Sequence, residues 1–177
     1  MSAAGNQAAT RLSTLVIGCG NTLRGDDGVG PEIVRRLARC TLPEHVRCVD
    51  AGTSGIDAVL AMRGADRVVV VDASCSGAVA GTIREIEIGP SWTAPAVGLA
   101  VHSIRWDHAV ALGRSLLAGG FPRQVTAVLV EGSRFAAGDG LSPEVVEAIA
   151  AVVERLAARL SDGSTPQSLD RVSHARG

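Results

Sequence analysis

The groups able to do chemistry in this chain are a few aspartates and one histidine, most of them placed where an apolar run gives out. Asp26 and Asp27 adjoin in Gly18-Cys-Gly-Asn-Thr-Leu-Arg-Gly-Asp-Asp-Gly-Val-Gly30. Asp50 follows Val46-Arg-Cys-Val49, Asp72 follows the β-branched run 68–71, and His102 stands just ahead of a helical pattern that starts at Ile104. Two carboxylates and an imidazole suit a divalent transition metal that keeps positions open for water or substrate. A carboxylate beside a scissile bond can also serve as general base. Against this, aspartate is a favoured turn former and helix cap, and a single histidine before a helix is commonly a cap or a surface residue. Spacing leaves both readings open; recurrence after three successive apolar runs is what local structure explains least well.

Other chemistries fit poorly. A dinucleotide fingerprint would need glycine where Leu23 stands, and a Walker loop needs a lysine, of which the chain has none. Paired aspartates would also repel a phosphate there. Without lysine no Schiff-base mechanism is available. There is no Gly-x-Ser-x-Gly elbow, since Gly52-Thr-Ser-Gly55 has the wrong spacing, and no His-Glu-x-x-His helix. Cys19 and Cys75 fall beside the suspected site, and pairing either with His102 is geometrically conceivable, but nothing in the sequence favours it. His108 lies off the face of His102, His45 follows Pro43-Glu44 in a turn, and His174 falls near the end of the chain.

These groups need elements to hold them, and the apolar pattern supplies a strand–helix alternation. Strands are expected over 15–17, 46–49, 68–71, 82–88 and 125–130, and helices over 31–39, 56–63, 104–117 and 143–160. The continuous runs 68–71 and 125–130 read as strands buried on both faces. The polar alternation of 82–88 reads as a sheet edge. The last helix carries Val145, Val146, Ile149, Val152, Val153 and Leu156 as an apolar stripe. Such alternation implies a mostly parallel sheet covered on both sides. Loops after parallel strands open on one edge, so Asp26, Asp27, Asp50 and Asp72 would meet in the crevice where open α/β sheets bind ligands. Glycines 18, 20, 25, 28 and 30 let the first loop take positive φ and pass close to other groups.

At 177 residues and 46% hydrophobic content, the chain has the length of one domain and enough apolar side chains for a core built almost wholly from aliphatics. Residues 1–12 and 161–177 read as flexible tails flanking a single domain over 13–160. A net charge of −1 gives no electrostatic case for nucleic acid or an anionic membrane. No signal-peptide pattern opens the chain, and no apolar run approaches the roughly 20 residues of a membrane span. Four cysteines without a Cys-x-x-Cys pair fit a reducing cytoplasm.

The loop Gly18–Gly30, Asp50-Ala-Gly-Thr-Ser-Gly55, Val70-Val-Asp-Ala73, His102-Ser-Ile and Gly140-Leu-Ser-Pro-Glu-Val145, in that order, resemble the nickel–iron hydrogenase maturation endopeptidases. The resemblance spans about 15–160. It implies a three-layer α/β/α sandwich around a five-stranded mixed sheet with one antiparallel strand, for which 82–88 is the fitting member. It implies removal of a C-terminal extension from the hydrogenase large-subunit precursor after nickel insertion. The metal contacts it implies are Asp27, Asp72 and His102, with Asp50 a further acidic position near the site and Asp27, Asp50 and Asp72 the catalytic candidates. Nickel would come with the precursor, zinc or another divalent cation replacing it in vitro, and hydrogenase accessory proteins would be further partners. Two positions depart from the pattern: Asp27 stands where some members carry Glu, and Val130-Glu-Gly-Ser-Arg-Phe135 replaces a loop expected to contain proline. A non-catalytic protein that checks for nickel, or a small-molecule metallohydrolase, are the competing functions.

Overall fold

The apolar runs form five strands and four helices within residues 12–92 and 106–162, the part described by the computed structural model. In chain order these are β1 (Thr14–Cys19), α1 (Val29–Leu37), β2 (Val46–Gly52), α2 (Gly55–Met62), β3 (Arg67–Ser74), β4 (Ile83–Glu87), α3 (Trp106–Leu117), β5 (Gln124–Glu131) and α4 (Pro143–Asp162). The sheet order is β2-β1-β3-β5-β4. β1 pairs in parallel with β2 and β3, and β3 with β5, while β4 runs antiparallel to β5 from Ile83 opposite Val130 to Glu87 opposite Thr126. The mostly parallel sheet with one antiparallel edge strand is thus the expected one.

Successive strand residues point to opposite faces, and both faces are covered. Leu15, Ile17, Val68, Val70, Ala127 and Leu129 pack with Ala58, Val59 and Met62 of α2 and Trp106, Ala109 and Val110 of α3. Val16, Val69, Val71, Val128 and Val130 pack with α1 and with Val145, Ala148, Ile149, Val152, Leu156 and Leu160 of α4. These are the three layers. Arg159 of α4 grips Glu85 of β4 through both carboxylate oxygens at 2.8 and 3.0 Å, fastening the edge strand to that layer.

Three boundaries differ from the sequence expectation. Asp50 and Asp72 lie inside β2 and β3 and do not follow them, because the parallel ladder carries on: Gly18 stands opposite both Asp50 and Val71, and Asp72 opposite Leu129. Ladder hydrogen bonds outweigh the turn preference of aspartate. α1 starts two residues before Pro31, since a 3-10 turn over Gly25–Gly28 runs straight into it.

The glycines of the first loop also divide. Gly20 and Gly25 take positive φ, 126° and 55°. Gly28 does not, at φ −78°. Gly18 and Gly30 are required by close approach: a Cβ on Gly18 would lie 2.4 Å from the Gly30 carbonyl oxygen, and one on Gly30 would lie 2.3 Å from that of Cys19 and 2.5 Å from that of Val71. The start of α1 rests directly on the ends of β1 and β3.

Candidate active site

β1 lies between β2 and β3, so its C-terminal end is flanked by Asp50 on one side and Asp72 on the other. With strands about 4.8 Å apart, the two backbones are roughly 10 Å from each other. Asp50 is exposed and accepts the Gly52 N–H at 2.9 Å. It lines an open cleft of about 420 Å³ with Gly20, Asn21, Thr22, Pro31 and Thr53. Asp72 is buried, continues the alternation of Val68 and Val70, and accepts the Ala73 N–H at 2.8 Å.

Asp27 joins this edge through the first loop. It sits half-buried in the 3-10 turn, which packs against β3, and its Oδ2 accepts the Asn21 N–H at 3.0 Å. The Gly20 N–H donates to the Gly52 carbonyl at 2.8 Å, tying this loop to the end of β2. Asp27, Asp50 and Asp72 therefore share the C-terminal edge of the parallel strands. His102 lies outside the described residues, as do His174 and most of both expected tails. Among the described residues no group of three or more His, Cys, Asp or Glu side chains is arranged to hold a metal ion. His108 is half-buried beside Asp107, 3.4 Å away, and His45 takes part through its backbone carbonyl, which accepts the Thr14 N–H.

Cys19 closes β1 and is buried in the core. Burial, then the negative charges of Asp72 and Asp50, push its thiol well above the usual range, so it is a protonated core side chain at neutral pH and no nucleophile. Cys75 is exposed beyond the end of β3.

Asp26 corrects the reading of Asp26 and Asp27 as a joint site. It is fully buried; Oδ2 accepts the N–H groups of Ser133 and Arg134 at 2.7 and 2.9 Å, and Oδ1 accepts that of Ser142 at 2.6 Å. Burial alone would raise its carboxyl, but the N–H groups of Ser142, Ser133 and Arg134 hold it below the usual carboxylate range. Glu131, named in the sequence only as part of the departing segment Val130–Phe135 and given no role, is another buried carboxylate. Its Oε1 accepts the N–H groups of Ser76, Gly77 (2.8 Å) and Ala78 (3.2 Å), and its Oε2 the Ser76 hydroxyl (2.9 Å). Here too burial opposes ionisation and is outweighed by hydrogen bonds from Ser74, Ser76 and Gly77, leaving the carboxyl below its ordinary range. The one sequence signal for Glu131 is a charge closing an otherwise apolar strand directly before a glycine.

Comparison with known proteins shows what the chain resembles. A family model described as hydrogenase maturation protease matches residues 31–159. The hydrogenase 2 maturation protease of Escherichia coli K12 is 31% identical over 156 residues, covering 85% of this chain and 92% of the relative. The solved structure of the hydrogenase maturating endopeptidase HybD from E. coli superposes with a TM-score of 0.73 at 26% identity, covering 86% of this chain and 94% of the other. A shorter match, 36% identical over 80 residues, is to the coenzyme F420 hydrogenase subunit delta of Methanothermobacter thermautotrophicus, covering 42% of this chain; it spans about half of that relative's length, 51%.

Proposed function

The chain belongs to the hydrogenase maturation protease family, and from that premise we propose that it removes the C-terminal extension of a nickel–iron hydrogenase large-subunit precursor after nickel has been inserted. The observation that carries this reading is the gathering of Asp27, Asp50 and Asp72 at one open edge of the sheet, in the fold shared with HybD.

In this reading nickel is part of the substrate. Asp27 and Asp72 offer carboxylate oxygens to it and His102 an imidazole nitrogen, which holds the precursor with its scissile bond over the cleft beside Asp50. Oxygen and imidazole donors suit such a cation, and zinc or another divalent ion can replace it in vitro. Asp50 is exposed and outside the metal-holding set, so it is the general base: it takes a proton from the attacking water as the water oxygen bonds to the scissile carbonyl carbon. The proton passes to the departing amide nitrogen as the C–N bond breaks. One water is consumed, and the products are a new C-terminal carboxylate on the large subunit and the released peptide. The step belongs in the cytoplasm, a placement that the free thiols at Cys19, Cys40, Cys48 and Cys75 support.

The test is to incubate the protein with nickel-loaded and nickel-free precursor and weigh both by mass spectrometry. Shortening of the loaded precursor alone is expected. Cutting of both forms would remove the nickel requirement, and cutting of neither would leave a metal-checking protein in place of a protease.

A further inference from the structure

Two of the buried carboxylates, Asp26 and Glu131, belong to one device. The segment from Glu131 to Arg134 crosses the site edge of the sheet and touches the loops on both sides of it. At one end the Glu131 side chain gathers the N–H groups of Ser76, Gly77 and Ala78, just beyond the strand that carries Asp72, while the Gly132 N–H donates to the Ser74 carbonyl at 2.9 Å. At the other end the N–H groups of Ser133 and Arg134 hold Asp26, whose own N–H returns a bond to the Arg134 carbonyl at 2.8 Å. Further bonds run from Gly25 N–H to the Asp139 carbonyl, from Gly138 N–H to the Leu23 carbonyl and from Arg24 Nε to the Phe135 carbonyl. Gly132 fits because a Cβ there would lie 2.7 Å from that of Asp26 and 2.6 Å from the Phe135 ring.

Neither Asp26 nor Glu131 is exposed enough to meet a protein substrate, at 0% and 2%. Each is chained to a candidate site residue: Asp26 by a peptide bond to Asp27, Glu131 by the loop it gathers to β3. We propose that Asp26 and Glu131 are positioning residues, and that the segment between Glu131 and Arg134 is a crossbar fixing Asp27 and Asp72 relative to each other. The proposal rests on the functional reading above for its catalytic consequence, and on geometry alone for its structural one. A constellation held by such supporting bonds loses rate steeply when displaced by about 1 Å.

The experiment compares Asp26→Asn and Glu131→Gln, which keep side-chain shape but remove charge and an acceptor, with Arg159→Met, which cuts an anchor of another part of the fold. All are assayed on nickel-loaded precursor well below the lowest melting temperature, and amide exchange is followed at Asn21 and Ala73, whose N–H groups meet the Asp27 and Asp72 carboxylates. The expected result is a fall in kcat of at least tenfold with KM within twofold. Exchange should quicken at least tenfold at Asn21 in Asp26→Asn and at Ala73 in Glu131→Gln, with neither change in Arg159→Met. Should either variant not fold, Gly132→Ala and Ser76→Ala perturb the same two ends and are read the same way. Unchanged exchange at both amides in folded variants, or wild-type kcat in a folded variant while Asp27→Asn abolishes processing, overturns the proposal. Faster exchange with no catalytic change, alongside an Asp27→Asn protein that still processes precursor, would retain the crossbar and overturn the functional reading.

Discussion

Asp26 and Asp27 share a loop and a charge, yet one turns into the protein and the other toward the site edge. Replacing Asp26 by Ala takes the acceptor from one buried and two partly buried N–H groups, and the expected loss is about 3 kcal/mol of stability, read from denaturant unfolding. Asp72→Asn should behave oppositely: precursor processing is abolished while circular dichroism and melting temperature stay near wild type, because the change removes a charge at the sheet edge and no core atom. Acid exposes the buried pair. Asp26 and Glu131 both titrate below their ordinary ranges when folded, so their contribution is complete above the unfolded values of about 4 and fades as pH falls through the lower folded ones. Melting temperature should hold steady from neutral pH to about 5 and drop below about 4, and the drop should shrink in an Asp26→Asn, Glu131→Gln double variant. The sequence made Asp27, Asp50 and Asp72 legible because each follows an apolar run. It hid the role of Asp26, whose partners are backbone N–H groups more than a hundred residues away and carry no side-chain signature.

Elements were easier to read than their ends. Runs such as 68–71 and 125–130 bury both faces and have no competing interpretation, and the polar alternation of 82–88 marks an edge strand whose charges need solvent or a partner such as Arg159. Where strands stop is decided by neighbouring strands, which is why Asp50 and Asp72 belong to ladders that no local preference announces. The contact between α1 and the sheet was equally hidden, since a glycine chosen for close approach looks the same in sequence as one chosen for positive φ. The difference is measurable. Gly30→Ala must push the start of α1 off the Cys19 and Val71 carbonyls and should cost 3 kcal/mol or more. Gly28→Ala has ordinary φ, and its nearest contact is the Thr22 Cα at 3.1 Å, so it should cost about 1 kcal/mol or less. Equal melting temperatures for the two would contradict this account of the helix–sheet contact.

For the molecule as a whole, the sequence conveyed five strands in a mostly parallel sheet covered on both sides, and its resemblance to a family conveyed the three-layer sandwich and the single antiparallel member. Sheet order is written in backbone pairing and was not readable residue by residue. Residues beyond 162 carry no apolar stripe in the sequence, so a chain ending there should keep its melting temperature and its rate of precursor processing; loss of either would place working parts in the tail. One feature bears on how the protein behaves in a crowd. Among the described residues β4 ends the sheet, only five residues long, with Arg84 and Glu87 exposed and Glu85 held by Arg159. A strand from another copy laid alongside it would have to strip water from two charges and lie against a third whose partner belongs to α4. Concentrated solutions therefore have no easy route from this edge to open-ended stacking.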